Sequence, residues 1–250
     1  MYMDLSQFFE QNNKVAIAFS GGVDSAYLLY MAAKCGVDVT AFYVKSQFQP
    51  QFEYEDAVRL AKQLDVKMQT ISLDVLACEA VVKNPANRCY YCKQQIFTAI
   101  LEHAKNAGYS LVLDGTNASD DADDRPGMKA LQELCVRSPL RECGLTKDVI
   151  RARSREAGLF TWDKPAYACL ATRIRTGETI TEKKLAITEA AEVFLFDLGF
   201  TDFRIRMIGS SAKLQFTKQD QVRFYELEQK ITNRLLEDYD EVIVDTEVRN

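Results

Sequence analysis

Two groups of residues in this 250-residue chain have the types and spacing to do chemistry. The first is Ser20-Gly21-Gly22-Val23-Asp24-Ser25, between an apolar run at residues 15–19 and a helical pattern over 23–34. The run is short, apolar and without alternation, as a buried parallel strand is. Apolar residues at 26, 28, 29, 31, 32 and 33 suit a helix packed on a sheet. Glycines between strand and helix let the backbone turn sharply and approach a ligand, and free amides at a helix N-terminus attract anions. The segment reads as a phosphate cradle, although it matches neither Gly-x-x-x-x-Gly-Lys-Ser/Thr nor Gly-x-Gly-x-x-Gly.

The second group is cysteine. Seven cysteines, an odd number, point to a reducing compartment in which thiols serve metal binding, catalysis or packing. Cys89 and Cys92 share one face of a helix that runs to about residue 106, and helix-start amides with Arg88 and Lys93 favour thiolates there. Such a pair fits a redox couple, half a zinc site or part of an iron–sulfur site. Cys169 follows Pro165, which breaks any helix before it, so it lies in or beside an irregular segment. Arg173 and Arg175 beside it are suited to an anion. Arg204 and Arg206 alternate with Phe203, Ile205 and Met207 and so leave one face of a strand, as salt-bridge partners or as a phosphate clamp. Cys35, Cys78, Cys135 and Cys143 read as packing residues. His103, the only histidine, is given no role.

The elements that must hold these groups alternate strand and helix. Strands are expected at 37–44, 66–73, 109–113 and 136–140, with helices at 54–64, 128–135 and 147–157. This predicts an α/β fold with a doubly wound parallel sheet, whose ligands sit at the carboxyl ends of the strands. Ser20 onward, the loop at 45–48 (a candidate for adenosine) and the strand-end pair Asp114 and Asn117 all fall at that edge. Asp120–Asp124 read as a solvated loop, and Arg151, Arg153 and Arg155 as a solvated helix face. From Thr181 the pattern changes to a helix capped by Thr181, strands at 203–208 and 213–216 joined by Gly209-Ser210-Ser211, a helix at 219–237 and a strand at 241–245. That is a smaller C-terminal α+β domain, with residues 1–177 before it and 178–250 within it.

Hydrophobic content of 47% and charged content of 27% are those of a globular protein, and a net charge of −5 argues against a broad basic face for nucleic acid. No run of about 18 apolar residues predicts a membrane span. The polar, acidic start reads as neither signal nor transit peptide, so a cytoplasmic protein is expected.

Ser20–Ser25 after a strand is similar to the PP-loop of ATP pyrophosphatases, which split ATP into AMP and pyrophosphate. The resemblance puts Ser20, Gly21, Gly22, Val23, Asp24 and Ser25 at the pyrophosphate end of ATP, with Asp24 near Mg2+, while Asp114 and Asn117 are expected as further nucleotide contacts from their place at the strand's end. Together SGGVDS, NRCYYCK, DGTN, DKPAYACLATRI and FRIRMIG resemble the LarE family over residues 15–247. That resemblance implies a PP-loop, adenine nucleotide α-hydrolase-like fold and an ATP-dependent sulfur transferase of nickel-pincer nucleotide biosynthesis. Its substrate would be a nicotinate-derived, dicarboxylated pyridinium mononucleotide, whose carboxylate is adenylated and then converted to a thiocarboxylate. By the same resemblance Arg173, Arg204 and Arg206 hold the substrate phosphate and Glu192 orients the site.

Two kinds of LarE member exist. In one, a cysteine at the Cys169 position gives up its own sulfur. In the other, three cysteines hold a [4Fe–4S] cluster loaded from sulfide or another sulfur donor. Cys89, Cys92 and Cys169 make this chain similar to the second kind: three thiolates leave one iron without a protein ligand, whereas structural zinc prefers four. Sacrifice of the Cys169 sulfur and a PP-loop tRNA thiolase are the alternative readings. An amide-forming ligase has no need of three cysteines, and a non-enzymatic metal module leaves SGGVDS unexplained. A homo-oligomer is expected.

Overall fold

The computed structural model describes residues 4–120 and 126–248. Asp121, Asp123 and Asp124 of the expected solvated loop, and the first three residues of the polar start, lie outside the described residues. The chain divides into two units, Met1–Val75 with Asn87–Ala166, and Leu76–Ala86 with Tyr167–Asn250. The division thus passes between Ala166 and Tyr167, ahead of Gly177.

The first unit runs α1 (Leu5–Gln11), β1 (Lys14–Ala18), α2 (Val23–Lys34), β2 (Asp38–Lys45), α3 (Gln51–Gln63) and β3 (Lys67–Ser72). After α4 (Glu79–Val82), which belongs to the second unit, it resumes with α5 (Arg88–Asn106), β4 (Val112–Leu113), α6 (Pro126–Glu133), α7 (Pro139–Glu142) and α8 (Lys147–Glu156). The strands form one parallel sheet in the order β3-β2-β1-β4, with Val15 beside Val39 and Ala16 beside Val112. Val15 and Ile17 enter a core shared with Phe8, Leu28 and Ile150, from helices α1, α2 and α8. Ala16 enters the opposite core with Phe97, Ile100 and Leu131, from α5 and α6. Burial on both faces is the reason β1 is apolar without alternation. The sheet is doubly wound, as the alternation of elements predicts. Because β2 and β4 flank β1 on opposite sides, the carboxyl end of β1 is the place where a crevice opens.

One expected strand is not formed. Residues 136–140 contribute a single parallel bridge, Leu113 to Arg137, because Pro139 has no amide for a ladder and begins α7 instead. Arg137 still receives the Asp114 amide at 2.9 Å, which fixes the backbone just past β4.

The second unit contains α4, a 3₁₀ turn (Leu170–Arg173), α9 (Glu182–Asp197), β5 (Phe203–Ile208), β6 (Ser211–Phe216), α10 (Lys218–Leu235) and β7 (Glu241–Val244). Strands β5 and β6 form an antiparallel hairpin, and β7 joins β6 in parallel. Leu195, Phe224 and Ile231 of the helices pack on Ile205 and Leu214 of the sheet. Thr181 caps α9 by accepting the Lys184 amide at 3.2 Å. Asn84, in the left-handed region at φ 50° and 2% exposed, donates to the carbonyls of Ile174 (3.3 Å) and Arg175 (2.9 Å). Its own carbonyl accepts the Gly177 amide, so residues 76–86 belong with the later chain. Among the described residues no helix is long and apolar enough to cross a membrane.

Candidate active site

The turn from β1 into α2 is built by two glycines and two hydroxyls. Gly21 has φ +76°, and a Cβ there would lie 3.2 Å from both Ala57 Cβ and the Glu53 carbonyl, so the site requires glycine. Gly22 is the N-cap of α2. Ser25 Oγ donates to the Gly22 carbonyl (3.2 Å), receives the Ser20 amide (3.3 Å) and lies 3.1 Å from Ser20 Oγ. These bonds hold the loop in shape and leave the first amides of α2 facing outward, which is what an anion needs. Gly115, just past β4, presses on the same loop: a Cβ there would meet the Ser25 amide nitrogen at 2.8 Å.

Asp24 stands in the first turn of α2. Its Oδ2 accepts from Lys147 Nζ of α8 at 2.5 Å, while its Oδ1 is buried with no hydrogen-bond partner. Burial raises the carboxyl above its usual range, Lys147 pulls it back, and the charge of Asp120 raises it again. A hard oxygen left open in a polar site is the donor that Mg2+ takes, so the residues fit that ion.

Asp114 and Asn117 sit where the strand end predicts, but they also build their own loop. Asp114 accepts from the Thr116 hydroxyl (2.5 Å) and amide (3.3 Å) and from Ser138 Oγ (2.6 Å). Asn117 Oδ1 accepts the Ser119 amide at 2.7 Å. Asp114 lines the cavity described next, and Asn117, 2% exposed, shapes the turn behind it.

A cavity of about 310 Å³ lies inside the first unit at the carboxyl edge of the sheet. Ser20, Gly22, Asp24 and Ser25 form its polar end. Val44, Phe97 and Ile100 give it an apolar wall suited to a flat base. Of the loop after β2, it is the neighbours Val44 and Gln49 that line the cavity. Ser46 Oγ donates to Gln49 Oε1 at 2.6 Å and Phe48 is fully buried, so the 45–48 turn folds on itself and supports Gln49.

Phe97 and Ile100 come from α5, the helix that also carries the cysteine pair. Cys89 and Cys92 are in its first turn, one exposed and one half-buried, and Lys93 and Ile96 beside them line the cavity. Buried Arg88 directs Nη2 to Cys89 Sγ at 3.7 Å, which places a cation at that thiol. None of the seven cysteines is disulfide-bonded. Among the described residues no group of three or more His, Cys, Asp or Glu side chains is gathered as a metal site.

In the second unit Cys169 precedes the 3₁₀ turn, and its carbonyl accepts from the amide and the hydroxyl of Thr172 at 2.9 and 2.8 Å. Arg173 turns away from solvent: Nε and Nη2 bind Glu192 at 2.6 and 3.2 Å, and Nη1 donates to Thr172 Oγ1. Glu192 also accepts the Ile205 amide (3.2 Å) and the Tyr167 hydroxyl (2.5 Å). Burial pushes the Tyr167 phenol well above its ordinary range, so it remains a donor. Arg204 and Arg206 share a face, as alternation predicts, opposite the core positions Phe203, Ile205 and Met207. Arg204 is buried with its guanidinium over the Tyr167 ring. Arg206 is exposed, and binds Gln215 and the Thr172 carbonyl.

Sequence reasoning missed Lys147, which from its spacing is only the start of a basic helix. It also missed Arg151, read as solvated: the guanidinium donates to the carbonyls of Trp162 (2.7 Å) and Lys164 (2.8 Å). Lys164, unassigned from sequence, meets Glu53 and Asp56 of α3 at 3.0 and 2.7 Å. None of these pairings has a local signature: Lys147 and Lys164 meet carboxylates 123 and 108 positions away, and Arg151 reaches carbonyls 11 and 13 positions on, beyond its own helix.

Residues 13–138 match a family model described as a family of unknown function, DUF7411. The chain is 35% identical to the uncharacterized protein slr1717 of Synechocystis over 88% of this chain and 83% of that one. It is 36% identical to the pyridinium-3,5-bisthiocarboxylic acid mononucleotide synthase of Lactiplantibacillus plantarum, over 81% of this chain and 74% of the synthase. It is 28% identical to the tRNA-specific 2-thiouridylase MnmA 1 of Clostridium botulinum, over 60% and 52% of the two chains.

Proposed function

The chain belongs to the LarE family of PP-loop sulfur transferases, and from that premise we propose that it activates a carboxylate of a pyridinium mononucleotide with ATP and replaces an oxygen by sulfur. The observation that carries this reading is the cavity bounded by the Ser20–Ser25 loop and by the helix of Cys89 and Cys92. A nucleotide-cleaving loop on a cavity walled by the helix whose first residues include two thiols suits a reaction that activates and then thiolates.

ATP binds with its pyrophosphate end on the amides after Gly21 and its base against Val44 and Phe97. Asp24 would hold Mg2+, which would neutralise polyphosphate charge. The substrate carboxylate attacks the α-phosphorus and pyrophosphate leaves. Since phosphoryl centres of this kind need little covalent help, the loop amides, Lys93 and Asp24 act by position and charge. A sulfur nucleophile then attacks the acyl adenylate, AMP departs, and a thiocarboxylate remains. Adenylation is necessary because a free carboxylate is a poor electrophile. Arg204 and Arg206, on one face of β5, are assigned to the substrate phosphate. Arg173 and Glu192 are assigned to holding that strand and Tyr167 in place.

For the sulfur source we assign Cys89, Cys92 and Cys169 as ligands of a [4Fe–4S] cluster. The assignment rests on the LarE resemblance and on the chemistry of the donors, Cys89 and Cys92 one helical turn apart beside Arg88 and Cys169 at the head of the 3₁₀ turn; among the described residues these side chains are not gathered as a metal site. Held by Cys89, Cys92 and Cys169, such a cluster would supply the sulfur donor. The protein is assigned to the cytoplasm as a homo-oligomer, with sulfide or another donor reloading it.

The test is single-vessel mass spectrometry of product and protein with ATP and the dicarboxylated mononucleotide. Pyrophosphate release that requires the mononucleotide, with a product in which sulfur replaces oxygen, is the expected result. Pyrophosphate release that instead requires tRNA or ammonia overturns the reading. Loss of one sulfur from Cys169 after turnover would reassign the source to that cysteine.

A further inference from the structure

Asp24 offers one open oxygen, and a lysine already holds the other. Lys147 Nζ lies 2.5 Å from Asp24 Oδ2, across 123 positions of sequence, while Oδ1 is buried without a partner. We propose that Lys147 is the resident counter-ion of Asp24, holding the carboxylate while the site is empty and yielding it to the divalent cation that enters with ATP. The inference rests on the reading above that Asp24 takes the metal.

Three features favour exchange over a fixed structural pair. First, the Lys147 side chain is 32% exposed and that of Asp24 20%, so the ammonium can return to water at small cost, unlike a fully buried partner. A lysine ammonium is also a mobile point charge on a flexible stem, whereas an arginine fork fixes its acceptor. Second, the cation one turn further along α8 is engaged elsewhere, because the Arg151 guanidinium donates to the carbonyls of Trp162 and Lys164. Third, Asp120 lines the same cavity as Asp24 and its charge raises the Asp24 carboxyl, so a cation on Asp24 offsets negative charge in the empty site. The Lys147 backbone is meanwhile fixed, its amide donating to Ser119 Oγ at 3.0 Å, and only the side chain needs to move.

The consequence is a coupling between ligands. A cation arriving alone at Oδ1 meets the ammonium already on Oδ2 of the same carboxylate, and displacing that ammonium deprives it of Asp24 as its anion. A cation arriving with ATP brings phosphates that receive that ammonium. Metal binding to the empty protein is therefore weak by construction, and metal and nucleotide favour each other.

Mn2+ alone, at pH 8 and without nucleotide, tests this by electron paramagnetic resonance titration of the wild type, K147M, K147Q, D24N and the double variant D24N/K147M. K147M is expected to bind Mn2+ roughly tenfold or more tightly than the wild type, a difference of ~1.4 kcal/mol, and the double variant to lose that gain. Equal affinity in wild type and K147M, with binding abolished by D24N, overturns the role of Lys147 and leaves Asp24 as the metal ligand. A gain that persists in D24N/K147M overturns the assignment of the metal to Asp24 itself. K147Q, which keeps a polar side chain of similar length, is titrated in the same way should K147M fail to fold.

Discussion

Arg173 and Glu192 meet at 2.6 Å, with only 2% and 1% of their surfaces exposed. Two nitrogens of the guanidinium and both carboxylate oxygens are engaged, and the remaining acceptor capacity of Glu192 goes to Tyr167 and the Ile205 amide. A guanidinium so engaged positions β5, and with it Arg204 and Arg206, before any substrate arrives.

Removing one member of that pair leaves a buried charge alone. Arg173→Met is expected to destabilise the protein by about 3–5 kcal/mol, read by urea unfolding. Replacing both, as Arg173→Met with Glu192→Leu, should cost less than the single change. An Arg173→Met protein as stable as the wild type would show that the pair is not structural.

Gly115→Ala inserts a methyl group 2.8 Å from the Ser25 amide nitrogen, a backbone atom that cannot swing aside. The expected cost is about 1–3 kcal/mol in stability. Because the displaced segment is the phosphate loop, ATP affinity should fall by more than the same change at Gly158, where a Cβ meets nothing within 4 Å. Equal ATP affinities in the two variants would remove Gly115 from the site.

Burial raises the Asp24 carboxyl in the folded protein, so the native state holds its proton to higher pH than the unfolded chain does. Folding stability from this group therefore falls as pH rises through and above the ordinary aspartate range. Asp24→Asn removes that penalty, and the nucleotide-free protein should gain a few tenths to about 1 kcal/mol near pH 7 while losing activity. The gain should shrink toward pH 4, which thermal melts across pH can read. A gain independent of pH would point to a cause other than the carboxylate.

Arg151 closes two carbonyls of the stretch at 162–164, and charge-assisted bonds of this kind are worth about 1.5–3 kcal/mol each when broken. Arg151→Ala should speed amide hydrogen exchange and proteolytic nicking there, with β1 and β2 unaffected. Unchanged exchange at 162–166 would argue that the contacts are incidental.

Anaerobic reconstitution tests the cluster directly. Cys92→Ala should lower bound iron and the visible absorbance of the protein, while Cys135→Ala, an exposed cysteine outside the assigned set, should leave both unchanged. Equal iron in Cys92→Ala and wild type would sink the three-cysteine assignment.

Much of this molecule is written locally. The apolar run into Ser20, the glycines after it and the helical periodicity from Val23 specify a strand, a sharp turn and a helix among neighbours in the chain, and α2 forms over Val23–Lys34 as the pattern predicts. The alternation of Phe203, Ile205 and Met207 with Arg204 and Arg206 likewise fixes which side chains enter the core of the second unit. At 136–140 the apolar residues favour a strand, but the missing amide of Pro139 outweighs them and a short helix forms instead. Other features depend on contacts made across the chain: Lys147 on Asp24, Lys164 on α3, Asn84 joining residues 76–86 to the later chain, and Arg173 turned inward to Glu192. Spacing along a chain reports periodicity and turn chemistry, which are local. Which charge neutralises which is decided only when burial makes an unpaired carboxylate costly and the fold brings a particular cation within reach.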